Sequence, residues 1–345
     1  MGAGAARPHR GVEPGRVLPG RRVSALDPSR VSVLVVGYGS PEWLDRCLTT
    51  VAEVLPPEVQ VVVVDNASDP PLAPALRPHL DRVTALRSEV NTGFGRAANR
   101  ARRLLTGELL LLLNPDALLR PGALEALVAH LDADPRRGIV TGRLERPDGS
   151  LDPYSALGRP TLWSEVCFGT GLSTAFPRSA WANTFDLHGW ARDSERDIGV
   201  VSGCVLLVRA SLYDALGGFD PRYFMYGEDV DLSTRAGELG SRRSFLPIVV
   251  ATHAGGASSS SAGKTVMVLR GKATLHARHP RAVRRAVSTL LLHTGVGLRA
   301  LLEGRRPVAD RVWRAAWSRR SEWRSGWAPV PADVDADLEL TPVTA

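Results

Sequence analysis

Leu109-Leu110-Leu111-Leu112-Leu113-Asn114-Pro115-Asp116-Ala117 is the stretch whose reading decides the fold. Five consecutive leucines read as a strand buried on both faces, as in the middle of a parallel sheet. Periodicity alone does not separate such a run from a buried helix. The stop at Asn114-Pro115 does, because a residue before proline is pushed out of the helical region. The run therefore delivers Asn114 and Asp116 to the carboxyl end of a central strand, the edge where open α/β sheets bind ligands. A carboxylate there suits a divalent cation whose shell is completed by phosphate oxygens. Asp116 as a plain turn former is the competing reading.

Upstream, Val31 to Val36 reads as a first buried strand, followed by Gly37-Tyr38-Gly39-Ser40. Ser40 and Pro41 look like the N-cap and first residue of a helix to about Leu55, with Trp43, Leu44, Cys47, Leu48 and Val51 on one face. Val59 to Val64 is a second apolar strand, ending in Asp65-Asn66-Ala67-Ser68-Asp69. Val83 to Leu86 fits a third, before Asn91-Thr92-Gly93-Phe94-Gly95. The next helix, to about Leu105, should turn Phe94, Ala97, Ala98, Ala101, Leu104 and Leu105 inward and Arg96, Arg100, Arg102 and Arg103 mostly outward. Downstream, a helix is expected from Pro121 to Leu131 and a strand near Ile139-Val140. This alternation predicts an α/β fold with a doubly wound, mostly parallel central sheet. No Gly-x-Gly-x-x-Gly follows the first strand and no Gly-Lys-Ser/Thr loop occurs. Dinucleotide oxidoreductases and P-loop NTPases therefore lack their phosphate loops here.

Residues 143–197 lose periodicity and scatter aromatics, among them Tyr154, Trp163 and Trp190, as binding loops or lids do. Val200 to Val208 is strand-like with a break at Ser202-Gly203. A helix with an acidic start is expected from about Val230 to Leu239. Phe245 to Val250 should be a strand running toward His253, and Ser258 to Ser261 with Gly263 a mobile loop.

The 345 residues carry a net charge of +7, almost wholly from arginine, since Lys264 and Lys272 are the only lysines. An anionic partner fits: nucleotide, phospholipid or polyprenyl phosphate. No nucleic-acid module is present, so nucleic acid is not the expected partner. Three cysteines, at no metal-ligand spacing, indicate inert thiols in a reducing compartment. The start has arginines but no apolar core of a signal peptide. No apolar run approaches the roughly 20 residues that span a bilayer. These features predict a cytoplasmic catalytic body.

Acids thus stand at three element ends, Asp65, Asp116 and Glu228-Asp229, and His253 follows another strand. Singly, each has a plain explanation: an Asx turn, a helix cap, a core histidine. Their common location at element ends of one sheet is what those explanations leave over. The chain resembles the family 2 glycosyltransferases of the GT-A fold over about Val31 to Pro280. The resemblance is carried by Asp65-Asn66-Ala-Ser, Asn91-Thr-Gly93-Phe94-Gly, Leu-Asn114-Pro-Asp116-Ala, Ser202-Gly203-Cys-Val-Leu-Leu-Val-Arg and Gly217-Gly218-Phe219-Asp220. Glu228-Asp229-Val-Asp231-Leu and His253-Ala-Gly-Gly-Ala-Ser258 complete it. Within that family it looks most like bacterial rhamnosyltransferases acting on lipid-linked acceptors, with galactofuranosyl transferases using a UDP-sugar as near relatives.

The resemblance implies that Asp65 contacts the nucleobase or ribose of a nucleotide-sugar donor, with Asn66, Asn91, Gly93, Phe94 and Asn114 lining its site. Asp116 would bind a divalent cation, Mg²⁺ or Mn²⁺, on the donor diphosphate, with His253 as second ligand. Asp229 would be the general base with Glu228 beside it, and Gly203, Tyr226 and Trp190 would face the acceptor. One base and no second nucleophile predict inversion at the sugar carbon. Two departures stand out. Asn114-Pro115-Asp116 replaces the usual Asp-x-Asp, leaving one carboxylate for the metal, and Gly37-Tyr38-Gly39 stands where many relatives have Tyr-Asn.

Residues 281–327 alternate arginines with apolar stretches and hold Trp313, Trp317, Trp323 and Trp327. Such an amphipathic segment suits either a membrane interface or packing back onto the catalytic domain. The expected organisation is a disordered leader over 1–29, a GT-A catalytic domain over 30–280, the basic tryptophan-rich helical segment over 281–327, and a disordered tail over 328–345. The expected activity is an inverting transfer of sugar, possibly L-rhamnose from a dTDP-sugar, to a lipid-linked or cell-envelope glycan at the inner membrane face. A nucleotidyltransferase is the competing enzyme, although the Gly-rich basic loop it needs after the first strand is missing. A non-catalytic carbohydrate-binding protein of this fold is the competitor from another class.

Overall fold

The structure is a computed structural model that describes residues 26–255, 261–305, 311–329 and 339–344. The first half runs β1 (Val31–Gly37), α1 (Pro41–Val54), β2 (Gln60–Asp65), α2 (Ala73–Leu76), β3 (Thr84–Ser88), α3 (Phe94–Arg102), β4 (Leu109–Leu113), β5 (Ala117–Leu119), α4 (Ala123–Asp132) and β6 (Arg137–Glu145). The aperiodic stretch then supplies β7 (Leu151–Asp152), β8 (Ala156–Leu157), α5 (Leu162–Gly169), α6 (Leu172–Ala175) and β9 (Arg196–Asp197). After these come β10 (Val200–Val201), β11 (Val205–Arg209), α7 (Ala210–Ala215), α8 (Glu228–Glu238) and β12 (Arg242–His253). The chain closes with α9 (Ser261–Ala277), α10 (Ala282–Leu302), α11 (Val312–Ser318), α12 (Arg320–Trp323) and β13 (Leu340–Pro342).

The main sheet has the order β13-β3-β2-β1-β4-β11-β6-β12-β5. Its β3-β2-β1-β4 half is parallel, whereas β11 runs antiparallel to both β4 and β6. The leucine strand sits between β1 and β11, and its pleat explains its composition. Leu109, Leu111 and Leu113 point into one core, with Leu44 and Leu48 of α1 and Leu124 and Leu127 of α4. Leu110 and Leu112 point into the other, with Ala97 and Ala101 of α3 and Leu232 of α8. Alternating polarity would have wetted one of the two cores. Truncating any of these leucines to alanine would cost about 2–5 kcal/mol.

Several local expectations are corrected. Ser40 adopts left-handed backbone angles (φ 54°) and its side chain makes no cap; its carbonyl accepts from Trp43 and Leu44 instead. Arg96 and Arg100 are buried, only 8% and 7% exposed, because α3 is covered on its outer side too. Arg100 donates to the Ser88 hydroxyl at 2.9 Å. Leu104 lies past the end of α3 and is 40% exposed. Gly263 is helical, within α9, rather than in a loop; residues 256–260 lie outside the described residues. Leu340–Pro342, expected without structure, pairs antiparallel with β3 at the sheet edge. Of the leader, residues 1–25 lie outside the described residues, and Pro28–Arg30 form a single 3₁₀ turn.

Helices α9 to α12 build a third, smaller core from Val266, Leu269, Leu292, Val296, Ala316 and Trp323, with Phe168, Trp313 and Trp317 against it. Trp323 is fully buried and its indole N–H donates to the Ala316 carbonyl at 2.9 Å. Helices on both sides of residue 280 contribute to this core. Among the described residues, no helix is long and apolar enough to cross a membrane.

Candidate active site

The carboxyl end of β2 carries Asp65, which is fully buried. Its carboxylate accepts the Ser68 N–H at 2.9 Å and the Leu72 N–H at 3.1 Å, and pairs with the Arg87 guanidinium. The next residue ties two loops together: the Asn66 amide donates to Asn91 Oδ1 at 3.0 Å and its oxygen accepts the Thr92 N–H at 3.2 Å. Asn91 in turn accepts the Gly93 N–H at 2.9 Å. Gly93 has φ +81°, and a Cβ there would stand 2.0 Å from the Phe224 carbonyl, so no side chain fits. The Phe94 N–H donates to that same carbonyl at 3.2 Å. The Asn91–Gly95 loop and the loop before α8 are thus fastened to each other.

At the end of β4, the Asn114 N–H donates to the Cys204 carbonyl at 2.9 Å, and the Asn114 carbonyl accepts from Ala117 at 3.1 Å. This turn starts β5, whose three residues pair antiparallel with β12 so that Ala117 lies opposite His253. The pairing sets Asp116 beside His253, with Oδ1 3.5 Å from Nε2. On the other side of the ring, Nδ1 lies 2.8 Å from Asp152 Oδ2. Asp152 is buried, on β7, and its second oxygen accepts the Tyr154 N–H at 3.0 Å. Burial alone would lower the His253 pKa; Cys204, Asp116 and Asp152 outweigh it and push it up to about 12.

This donor set fits a divalent cation. A cation at Nε2 would have to displace the imidazolium proton; the Asp152 carboxylate on Nδ1 holds the ring with Nε2 toward Asp116, as an outer carboxylate orients a metal-bound imidazole. Two protein ligands leave most of a cation's shell to the phosphates of a bound nucleotide. No cluster of three or more acidic, histidine or cysteine side chains able to hold a metal occurs among the described residues.

The start of α8 carries the Glu228-Asp229 pair. It follows Tyr226 and Gly227, both with left-handed backbone angles (φ 64° and 102°). Asp229 accepts the Val230 N–H at 2.8 Å and the Gly203 N–H at 3.2 Å. The break between β10 and β11 is what aims Gly203 at this carboxylate. Glu228 is buried, and its Oε2 has no hydrogen-bond partner. Burial and the adjacent Asp229 push its carboxyl up to about 8. Burial also raises Asp229, opposed by the Gly203 and Val230 N–H groups. Both carboxyls are thus pushed above the ordinary carboxylate range, and they titrate as a pair.

The stability consequence has a definite sign. Folded Glu228 keeps its proton up to about 8, whereas the unfolded chain releases it near 4.5. Stability from this group is lost as pH rises across that window. Glu228→Gln should therefore raise the melting temperature over wild type more at pH 8 than at pH 5. A pH-independent difference would mean that Glu228 ionises freely.

Of the residues singled out in the sequence, one is not brought to this edge. Trp190 packs edge-on against Phe245, at 4.8 Å between ring centroids, near the opposite end of β12 from His253. Its N–H donates to the Ser194 hydroxyl at 3.0 Å, and Arg192 and Arg196 stack on it. Tyr226 has Lys264 over its ring at 5.9 Å. Asp152 was missed in the sequence; its only signal was an acid before a proline inside an aperiodic stretch.

Three comparisons bear on this site. The family model for Glycosyl transferase family 2 matches residues 32–210. The chain is 33% identical to an N-acetylglucosaminyl-diphospho-decaprenol L-rhamnosyltransferase of Mycobacterium tuberculosis, over 64% of this chain and 75% of that one. It is 27% identical to the rhamnosyltransferase WbbL of Escherichia coli, over 65% and 83%. Among solved structures, the mannosyltransferase PcManGT of Pyrobaculum calidifontis, in complex with GDP-Man and Mn²⁺, superposes with a TM-score of 0.51. That match has 20% identity and covers 87% of both chains, a likeness of fold.

Proposed function

The chain belongs to glycosyl transferase family 2 and is a nucleotide-sugar-dependent glycosyltransferase of the GT-A fold, and from that premise we propose that it transfers L-rhamnose from a dTDP-sugar, with inversion, to a lipid-linked acceptor sugar. The observation that carries the mechanism is the Asp229 carboxylate, held by two backbone N–H groups beside the buried Glu228. Asp229 takes the proton of the acceptor hydroxyl as its oxygen bonds to the anomeric carbon. The bond from that carbon to the donor phosphate breaks on the opposite face, so the configuration inverts. Asp116 and His253 would hold a divalent cation, Mg²⁺ or Mn²⁺, which when bound supplies charge stabilisation for the departing diphosphate. Asp65, Asn66, Asn91, Gly93, Phe94 and Asn114 shape the donor side, and Gly203 and Tyr226 the acceptor side. The donor and acceptor classes rest on the two rhamnosyltransferase relatives.

The test is a thermal-shift panel of nucleotide sugars with Mn²⁺ or Mg²⁺ present. dTDP-L-rhamnose should raise the melting temperature more than UDP-galactofuranose, since a ligand binding only the folded state stabilises in proportion to its saturation. A larger shift with the UDP-sugar would overturn the donor assignment.

We place the enzyme peripherally on the cytoplasmic membrane face, through α10 rather than through the tryptophans. Trp323 is inside the third core. On α10, Val283, Val287 and Leu290 are exposed at spacings of four and three, next to Arg281 and Arg285, while Arg284 is held by Glu165 at 2.9 Å. An apolar stripe flanked by arginines is what an anionic bilayer surface takes up. Flotation with anionic liposomes should fall with rising salt and be lost in the Val283→Asp, Leu290→Asp double variant. Undiminished flotation of that variant would remove α10 from the contact.

A further inference from the structure

A second basic cavity, of about 160 Å³, opens beside the loop that carries the base. It is lined by Arg96 of α3, Arg222 and Phe224 of the segment before α8, Arg270 of α9, and Trp327. Arg270 stacks over the Trp327 ring at 4.2 Å and donates from Nε to the Gly326 carbonyl at 3.1 Å. Trp327 leans on Phe224, with ring centroids 5.4 Å apart. Arg222 is fixed by Asp220, at 3.0 Å from Nε and 2.8 Å from Nη2. That carboxylate is shared with Arg278 at 2.7 Å, and no carboxylate lines the cavity itself. Three arginine side chains and an aromatic corner therefore line this space.

The cavity is mechanically joined to the site. The Phe224 carbonyl that receives the Phe94 N–H and closes over Gly93 belongs to a cavity-lining residue, and Asp229 follows it by five positions. On the function proposed above the donor diphosphate goes to Asp116 and His253, which leaves this cavity to a different anion. We propose that the cavity binds the diphosphate of the lipid-linked acceptor, with Phe224 and Trp327 receiving the first carbons of its chain. The inference rests on the acceptor class proposed above. With Arg222 Nε and Nη2 held by Asp220 and Arg270 Nε by Gly326, the donors offered to phosphate oxygens are Nη1 of Arg222 and the paired Nη groups of Arg270, which suits arginine rather than lysine here. The larger cavity near Arg242 and Arg243, of about 420 Å³, lies at the start of β12, the strand end opposite His253, and cannot serve an acceptor held at Asp229.

The test compares two synthetic acceptors, N-acetylglucosamine carrying a short prenyl diphosphate and the same sugar as an uncharged alkyl glycoside. Wild-type enzyme should prefer the diphosphate in kcat/KM. Arg222→Gln and Arg270→Gln should each cut that preference about 10-fold or more, through KM, as the loss of a charge-assisted hydrogen bond does. Arg270→Lys should restore part of it. A second measurement does not depend on turnover: calorimetric binding of inorganic pyrophosphate without divalent cation. It should weaken about 10-fold or more in both glutamine variants and not in Asp116→Ala. Undiminished acceptor preference and pyrophosphate affinity in the two folded variants would overturn the subsite. If wild-type enzyme used neither acceptor, the acceptor class would fail, and the pyrophosphate arm would still decide the cavity.

Discussion

Asp229→Asn should lower kcat by about 10²–10⁴ while leaving donor affinity nearly as in wild type, the range removed with a general base. The asparagine keeps the shape and can still accept the Gly203 and Val230 N–H groups through its oxygen. It cannot take a proton from an acceptor hydroxyl. The pH profile supplies an independent readout. A base works deprotonated, so kcat/KM should rise with pH through a limb above the ordinary aspartate range, because burial raises Asp229. That limb belongs to the pair of carboxyls, which titrate together. It should disappear in Asp229→Asn. Near-native turnover in Asp229→Asn, with the limb intact, would transfer the role to another group, Glu228 being the first to examine.

What the sequence made legible is what short-range patterning can encode. The strands of the parallel half announced themselves as continuous apolar runs because helices cover both faces. Asp65, Asp116 and Asp229 could then be placed from the ends of those elements alone. The parts that were not legible depend on contacts distant in sequence. β5 has three residues and exists only because β12 passes beside it, yet it is what brings Asp116 to His253. Asp152 reaches His253 across 101 positions from a two-residue strand with no periodicity to read. Arg96 and Arg100 looked like the solvent face of α3, but the chain that covers them comes from elsewhere. The tryptophans of the last helices show the same ambiguity. An apolar stripe with arginines reads alike whether it meets lipid or protein, and Trp323 meets protein.

Asp116→Ala and His253→Ala should each reduce kcat/KM by about 10²-fold or more, the scale on which losing a stabiliser of leaving-group charge acts. The two should differ from the base variant in kind. On the proposed sharing of the ion between Asp116, His253 and the donor phosphates, both substitutions should raise the Mn²⁺ concentration that half-saturates activity. Both should also weaken the Mn²⁺-dependent part of nucleotide-sugar binding, which Asp229→Asn leaves in place. Asp152 provides a graded version of the same experiment. Its carboxylate holds the His253 ring at 2.8 Å through Nδ1, the nitrogen that does not face Asp116. Asp152→Asn keeps the size but offers a neutral acceptor, and should weaken Mn²⁺ about 10–100-fold, as loss of an outer-shell carboxylate does. Mn²⁺ binding followed by electron paramagnetic resonance in the presence of nucleoside diphosphate reads all three variants without turnover. Full wild-type activity in excess chelator, or an unchanged Mn²⁺ affinity in His253→Ala, would leave Asp116 and His253 as an ion pair that supports the β5 turn and would move the diphosphate elsewhere.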